Sequence, residues 1–239
     1  MNQQTDKAIL VVSFGTSYEA SRKATIEKIE QDIRNAFQDH RIYRAWTSKF
    51  IISILKKRDN YTVPTVKEAL EQMITDGIRE VVVQPTHLMN GLEYNDLKDE
   101  LAGYSDSFEK IVLGDPLLTS DDDFQKVMNA IVDATKEYDD GETAICFMGH
   151  GTEADSNSVY TKMQETLKAA GYDNYFVGTV EATPSLDDVI AAVKAGGYKK
   201  VVLRPLMIVA GDHANNDMAG DEDGSWKTEF EKAGFEVTP

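Results

Sequence analysis

The chain has 239 residues, enough for one large domain or two of about 120, and its 41% hydrophobic content is that of an ordinary globular protein. A net charge of −16, from 41 acids against 25 bases, argues against nucleic acid or an anionic membrane as partner, since binding phosphate needs a local excess of Lys and Arg. The one cysteine, Cys146, excludes an intrachain disulfide and fits a reducing compartment. No stretch approaches the roughly 18 apolar residues of a membrane span and no secretory h-region is visible, so a cytoplasmic protein is expected.

Strand and helix alternate along the chain. Residues 8–14 form a short apolar strand ending in Gly15-Thr16-Ser17, and 19–37 read as one amphipathic helix. A second strand is predicted at 41–46, a helix at 64–76 closed by Gly77, and further strands at 80–84 and 111–113. Thr119 or Ser120 caps a long helix through Tyr138, with Asp121, Asp122 and Asp123 in its first turn, where the helix dipole favours acids. The series then restarts: strand 143–148, helix 157–170, strand 175–180, helix 185–195 capped by Ser185, and strand 200–203. This alternation predicts parallel sheets covered on both faces.

The restart is an internal repeat. Gly15-Thr16 matches Gly151-Thr152 at an offset of 136, and residues 77–85 match 197–205 at an offset of 120. At that second offset Gly91 pairs with Gly211 and Asn95 with Asn215. Two similar α/β lobes, 1–118 and 119–239, are predicted, with an active-site cleft between their strand ends. Where the copies differ is as informative: His150 stands opposite Phe14, and His213 opposite Glu93.

His150 and His213, two of the four histidines, both follow apolar runs, at the strand edge where open α/β sheets bind ligands. Either alone reads as a polar residue hydrogen-bonded at a strand end; both on one lobe point to a metal or acid–base site. Glu181, before a predicted helix, adds a carboxylate at the same edge. A His–His–Glu set suits Co, Fe, Ni or Zn better than Mg or Ca. Glu93 is either an exposed loop carboxylate or a group facing His213 that takes or relays protons. His87 reads as a core or supporting residue and His40 as a solvated one. The bases Arg41, Arg44, Lys49, Lys56, Lys57 and Arg58 run without an intervening acid, as a solvated helix face or as a docking surface for a polycarboxylate or phosphate. The acids Asp212, Asp217, Asp221, Glu222 and Asp223 form a solvated loop or a path that concentrates cations near His213. Ser13-Phe14-Gly15-Thr16 is faintly like a phosphate loop but lacks the lysine and spacing of one.

Four segments then carry a resemblance: Val-Val-Ser-Phe-Gly-Thr-Ser at 11–17, Arg-Ala-Trp-Thr-Ser at 44–48, Phe-Met-Gly-His-Gly at 147–151 and Pro-Leu-Met-Ile-Val-Ala-Gly-Asp-His-Ala-Asn-Asn-Asp-Met-Ala at 205–219. Over essentially the whole chain the sequence resembles the anaerobic cobalt chelatases of the cobalamin pathway, the CbiK type of class II chelatase related to ferrochelatase. The resemblance implies chelatase-like, Rossmann- or flavodoxin-like halves and ATP-independent insertion of Co²⁺ into sirohydrochlorin or precorrin-2. No cofactor is implied beyond the substrate metal. It implies His150, Glu181 and His213 as metal ligands, and His150, His213 and the N-lobe acid Glu93 as catalytic groups. Ser13, Phe14, Gly15, Thr16, Arg44 and Lys49 are the expected substrate-binding residues. Members of that family continue past the equivalent of Pro239 with a further segment and a terminal helix. Insertion of Fe²⁺ or Ni²⁺, and a non-catalytic metal or tetrapyrrole carrier, stand as alternatives. A homo-oligomer, or a haem on His87 between subunits, is compatible with the sequence but not required by it.

Overall fold

A computed structural model describes residues 5–239. The chain divides after Leu117 into two compact units. In the first, β1 (Lys7–Ser13), β2 (Arg41–Trp46), β3 (Glu80–Pro85) and β4 (Lys110–Leu113) make a parallel sheet in the order β2-β1-β3-β4. Central β1 is buried from Ala8 to Ser13, which is why its sequence is a continuous apolar run rather than an alternating one. One face, with Ala8, Leu10, Val12, Val81 and Val83, packs on helices α4 (Val66–Thr75) and α5 (Leu92–Ala102). In α4 the buried residues Val66, Ala69, Leu70 and Met73 recur at helical spacing, and a Thr65–Glu68 capping box starts the helix. Burying Leu70 alone contributes about 1.5–3 kcal/mol.

The second unit repeats the plan. Its strands β5 (Thr143–Gly149), β6 (Tyr175–Thr179), β7 (Lys200–Pro205) and β8 (Glu236–Thr238) are parallel in the order β6-β5-β7-β8. Helices α6 (Asp121–Thr135), α7 (Ser158–Ala169), α8 (Leu186–Ala195) and α9 (Trp226–Lys232) accompany them. The repeat extends to single hydrogen bonds. The Thr65–Glu68 box recurs as Ser185–Asp188. Thr86 N–H donates to Val12 O and Leu206 N–H to Met148 O, both at 2.8 Å. Asn95 and Asn215 each return a side-chain amide to the carbonyl four residues back, at 2.9 and 2.6 Å. In both sheets the strand order reverses at the first strand, between β1 and β3 and between β5 and β7. That reversal is the switch point where such sheets bind ligands.

Several predicted elements need correction. The single helix at 19–37 is two, α1 (Glu19–Ala24) and α2 (Ile26–Ala36), broken at Thr25. The Thr25 hydroxyl donates to Ser21 O at 2.6 Å, a local bond that competes with regular helix geometry. Helix α3 (Lys49–Asp59) was absent from the predicted series, as was α5. The long helix to Tyr138 is α6 followed by a 3-10 turn, Lys136–Tyr138. His213 is not at the end of β7 but beyond a loop, at the N-cap of a π-helical turn, Ala214–Met218.

Candidate metal centre

The second unit gathers three of the sequence candidates at its switch point. His150 follows β5 directly. Val180 N–H donates to Gly149 O at 3.0 Å and Glu181 N–H to His150 O at 2.9 Å, extending the β5–β6 ladder past the strand ends so that Glu181 lands beside His150. Gly151 makes this approach possible. Its φ is +87°, and a Cβ there would meet Ala182 N and the Thr179 Cβ at 2.9 Å. The loop from β7 brings His213 in from the other side. The two imidazoles lie with centroids 4.5 Å apart and planes at 88°. Glu181 Oε2 is 3.6 Å from His150 Nδ1. One ligand atom from each of His150, Glu181 and His213 lies within 4.8 Å of the others.

The ring nitrogens divide their work. His150 Nδ1 is 2.8 Å from Gly151 O, an acceptor, so Nδ1 carries the proton and Nε2 keeps its lone pair. His213 Nδ1 is 2.6 Å from Asp217 Oδ2, one turn along the chain, with the same consequence. A carboxylate behind a ligating imidazole fixes its tautomer and raises its basicity. Two imidazoles and a carboxylate match a first-row divalent ion and leave coordination positions open. Asp217 was named only within an acidic cluster; the His-x-x-x-Asp spacing is the signal that marks it. Of that cluster, Asp221 pairs with Lys227 and Asp223 with Lys232.

The first unit gathers other candidates. A pocket of about 330 Å³ is lined by Phe14, Trp46, Thr47 and Lys49 together with Glu93, Asp96 and Glu100 of α5. Glu93 sits in the first turn of α5, not in a loop. Ser13 and Thr16, by contrast, are buried. Ser13 accepts a hydrogen bond from the Thr86 hydroxyl at 2.8 Å, and Thr16 Oγ1 accepts from Tyr18 N–H at 3.2 Å. Gly15, at φ +103°, lets the Trp46 ring close over the turn, where a Cβ would come within 2.5 Å of it. Ser13 is thus tied to the segment after β3, and Thr16 and Gly15 to the turn that follows β1.

Half of the basic run is neutralised. Arg44 forms a two-pronged pair with Glu30 and donates to the Tyr61 hydroxyl at 2.5 Å, so it is not free to dock a substrate carboxylate. Arg41 pairs with Asp76 at 2.6 Å and Arg58 with Asp59 at 2.7 Å. Lys49, Lys56 and Lys57 have no ion-pair partner among the described residues. His40 lies against Asp39 at 2.8 Å. His87 follows β3 with both ring nitrogens buried and unpartnered among the described residues. Burial pushes its pKa down, against a smaller upward pull from Glu93.

A family model described as cobalt chelatase (CbiK) matches residues 7–239. A sirohydrochlorin cobaltochelatase of Salmonella typhimurium is 37% identical over 98% of this chain and 88% of its own length. The sirohydrochlorin cobaltochelatase CbiKC of Nitratidesulfovibrio vulgaris is 29% identical over 98% of this chain and 83% of its own. Among solved structures, SirB from Bacillus subtilis with Fe³⁺ superposes with a TM-score of 0.67 at 14% identity, covering 98% of this chain and 87% of that one. CbiX, described as the terminal enzyme of siroheme biosynthesis in denitrifying bacteria, gives 0.53 at 15%, covering 98% and 91%. At these identities the two structures speak to the fold, and they share it. No helix among the described residues is long and apolar enough to cross a membrane.

Proposed function

The chain belongs to the cobalt chelatase (CbiK) family, and from that premise we propose that it inserts Co²⁺ into sirohydrochlorin without ATP. The observation that carries the reading is the convergence of His150, Glu181 and His213 within 4.8 Å. Co²⁺ is a substrate here, so its site must bind the ion and then give it up. Two imidazole Nε2 atoms and one carboxylate do both, because the remaining positions are open to incoming pyrrole nitrogens. As the ring nitrogens replace the three protein ligands on the metal, the two pyrrole N–H protons must leave. In this proposal the Nε2 atoms of His150 and His213, freed as the metal leaves, accept the two protons. The products are the cobalt complex and two protons, with no redox step.

The test follows Co²⁺ insertion by the change in tetrapyrrole absorbance, with no nucleotide present, in His150→Ala and His213→Ala. Both should lose more than the roughly ten- to hundredfold typical of changes behind the ligands. Insertion at the wild-type rate in both variants would rule out this centre as the site of metal delivery.

A further inference from the structure

Two of the three proposed ligands stand on separate loops, His150 on the segment after β5 and Glu181 on the segment after β6. Loops that leave a sheet edge move unless their backbone groups are tied down, and a centre with loose ligands must order them each time a metal binds. The start of α7 ties both loops. Asn157, its N-cap residue, accepts with its side-chain oxygen from Thr152 N–H at 3.1 Å and donates with its side-chain nitrogen to Thr183 O at 2.6 Å. Thr152 and Thr183 each lie two residues beyond a ligand, so one amide joins the two ligand loops. The Glu181 loop is also closed on itself, since Thr179 N–H donates to Pro184 O at 2.7 Å. In the first turn of α7 the hydroxyl of fully buried Tyr160 accepts from Gly151 N–H at 3.3 Å, and a Cβ on Gly149 would run into the Tyr160 ring. The residues on either side of His150 thus rest on one side chain. The repeat marks both groups as additions. At the offset of 136 that aligns Gly15-Thr16 with Gly151-Thr152, Asn157 stands opposite Ser21 and Tyr160 opposite Ala24. The first unit, with Phe14 in the place of His150, has neither the amide nor the phenol.

We propose that Asn157 and Tyr160 are positioning residues for the metal centre, fixing the His150 and Glu181 loops at the spacing a divalent ion requires without touching the ion. The inference rests on the function proposed above and deepens it. A ligand set works when it is held within about 0.5 Å of the productive geometry by the residues behind it. His150 and Glu181 are joined directly by the Glu181 N–H to His150 O bond; the Asn157 amide adds a second link beyond both ligands. A primary amide accepts with one atom and donates with the other, whereas a serine hydroxyl at that position is too short to span both loops.

Gln164 supplies the control. Its amide makes the same kind of bridge further along α7, accepting from Val177 N–H at 2.8 Å and donating to Tyr175 O at 2.9 Å, on β6 rather than on the ligand loops. Co²⁺ alone is titrated into the whole chain, read by the d–d absorption of the bound ion, beside thermal unfolding of each variant. Asn157→Ala and Tyr160→Phe should each bind Co²⁺ about tenfold to a hundredfold more weakly. Gln164→Ala should bind it as the wild type does, whatever stability it loses. In insertion, the loss should fall on KM for Co²⁺ and not on KM for sirohydrochlorin. Where Asn157→Ala does not fold, the milder Asn157→Ser carries the same comparison. His150→Ala with wild-type Co²⁺ affinity overturns the metal centre and the inference together. His150→Ala that loses cobalt, with Asn157→Ala and Tyr160→Phe that keep it, overturns the inference alone, and so does an equal loss in Gln164→Ala. Loss in only one of the two variants overturns the role of the other residue.

Discussion

Asp217 stands behind one of the three proposed ligands. It holds His213 Nδ1 at 2.6 Å and so leaves Nε2 as the only lone pair that ring can offer. Asp217→Asn keeps the size and removes the charge that makes the imidazole a stronger ligand. Co²⁺ affinity, read from the d–d absorption of the bound ion, should fall about tenfold to a hundredfold with the fold intact. Equal affinity would mean that Asp217 does no more than occupy a turn. Gly151 acts sterically instead. Gly151→Ala places a Cβ 2.9 Å from the backbone of Ala182, in a left-handed conformation that costs of order 1–3 kcal/mol for other residues. The expected result is a lower unfolding temperature together with weaker Co²⁺ binding, because the displaced loop carries Glu181. A lower melting point with unchanged metal affinity would show that the loop moves without taking Glu181 from the centre.

Elements differed in how far they could be read from their own residues. Central strands such as β1 announced themselves as unbroken apolar runs, and the capping boxes at Ser120 and Ser185 marked where α6 and α8 begin. Helix α3 was hidden because Phe50, Ile51, Ile52, Ile54 and Leu55 form a run that fits a strand as well as a helix. The acid-rich α5 hid its buried stripe of Tyr94, Leu97 and Leu101. The site was legible to the level of His150, Glu181 and His213 sharing one sheet edge. Their convergence depends on the Val180–Gly149 and Glu181–His150 backbone bonds, a matter of tertiary register. The loss of Arg44 to Glu30 is equally tertiary. His87, on the loop that joins β3 to α5, is a polar residue where the repeat has Met207, which packs on the core of the second unit. Burial lowers its pKa from 6.5, so the folded state holds it neutral while the unfolded chain protonates it first. The stability from the neutral ring is complete above the unfolded value near 6.5 and is lost as pH falls toward the lower folded value. His87→Met should therefore flatten the fall in unfolding midpoint between neutral and mildly acidic pH. Parallel curves for variant and wild type would place the acid sensitivity elsewhere.

At the scale of the molecule, duplication supplied the scaffold and divergence supplied the chemistry. The same four-stranded order, the same capping box and the same Asn–Gly bond recur, while the switch-point residues differ: Phe14 and Glu93 in one unit, His150 and His213 in the other. Over both copies lies a net charge of −16, and its effect on the two proposed substrates has opposite sign. A divalent cation is drawn toward an acidic protein; a polycarboxylate tetrapyrrole is repelled except near unpaired bases such as Lys49. Salt screens both forces, with a Debye length of about 10 Å at 0.1 M. Raising ionic strength from about 0.01 to 0.1 M, over which the Debye length shortens from about 30 to 10 Å, should lower kcat/KM for Co²⁺ and raise it for sirohydrochlorin. Separate saturation curves for each substrate across that range measure both slopes. If instead the tetrapyrrole also loses rate with salt, local cations rather than the overall charge govern its encounter. Lys49→Met, Lys56→Met and Lys57→Met would then identify which of them draws it in, by abolishing that slope.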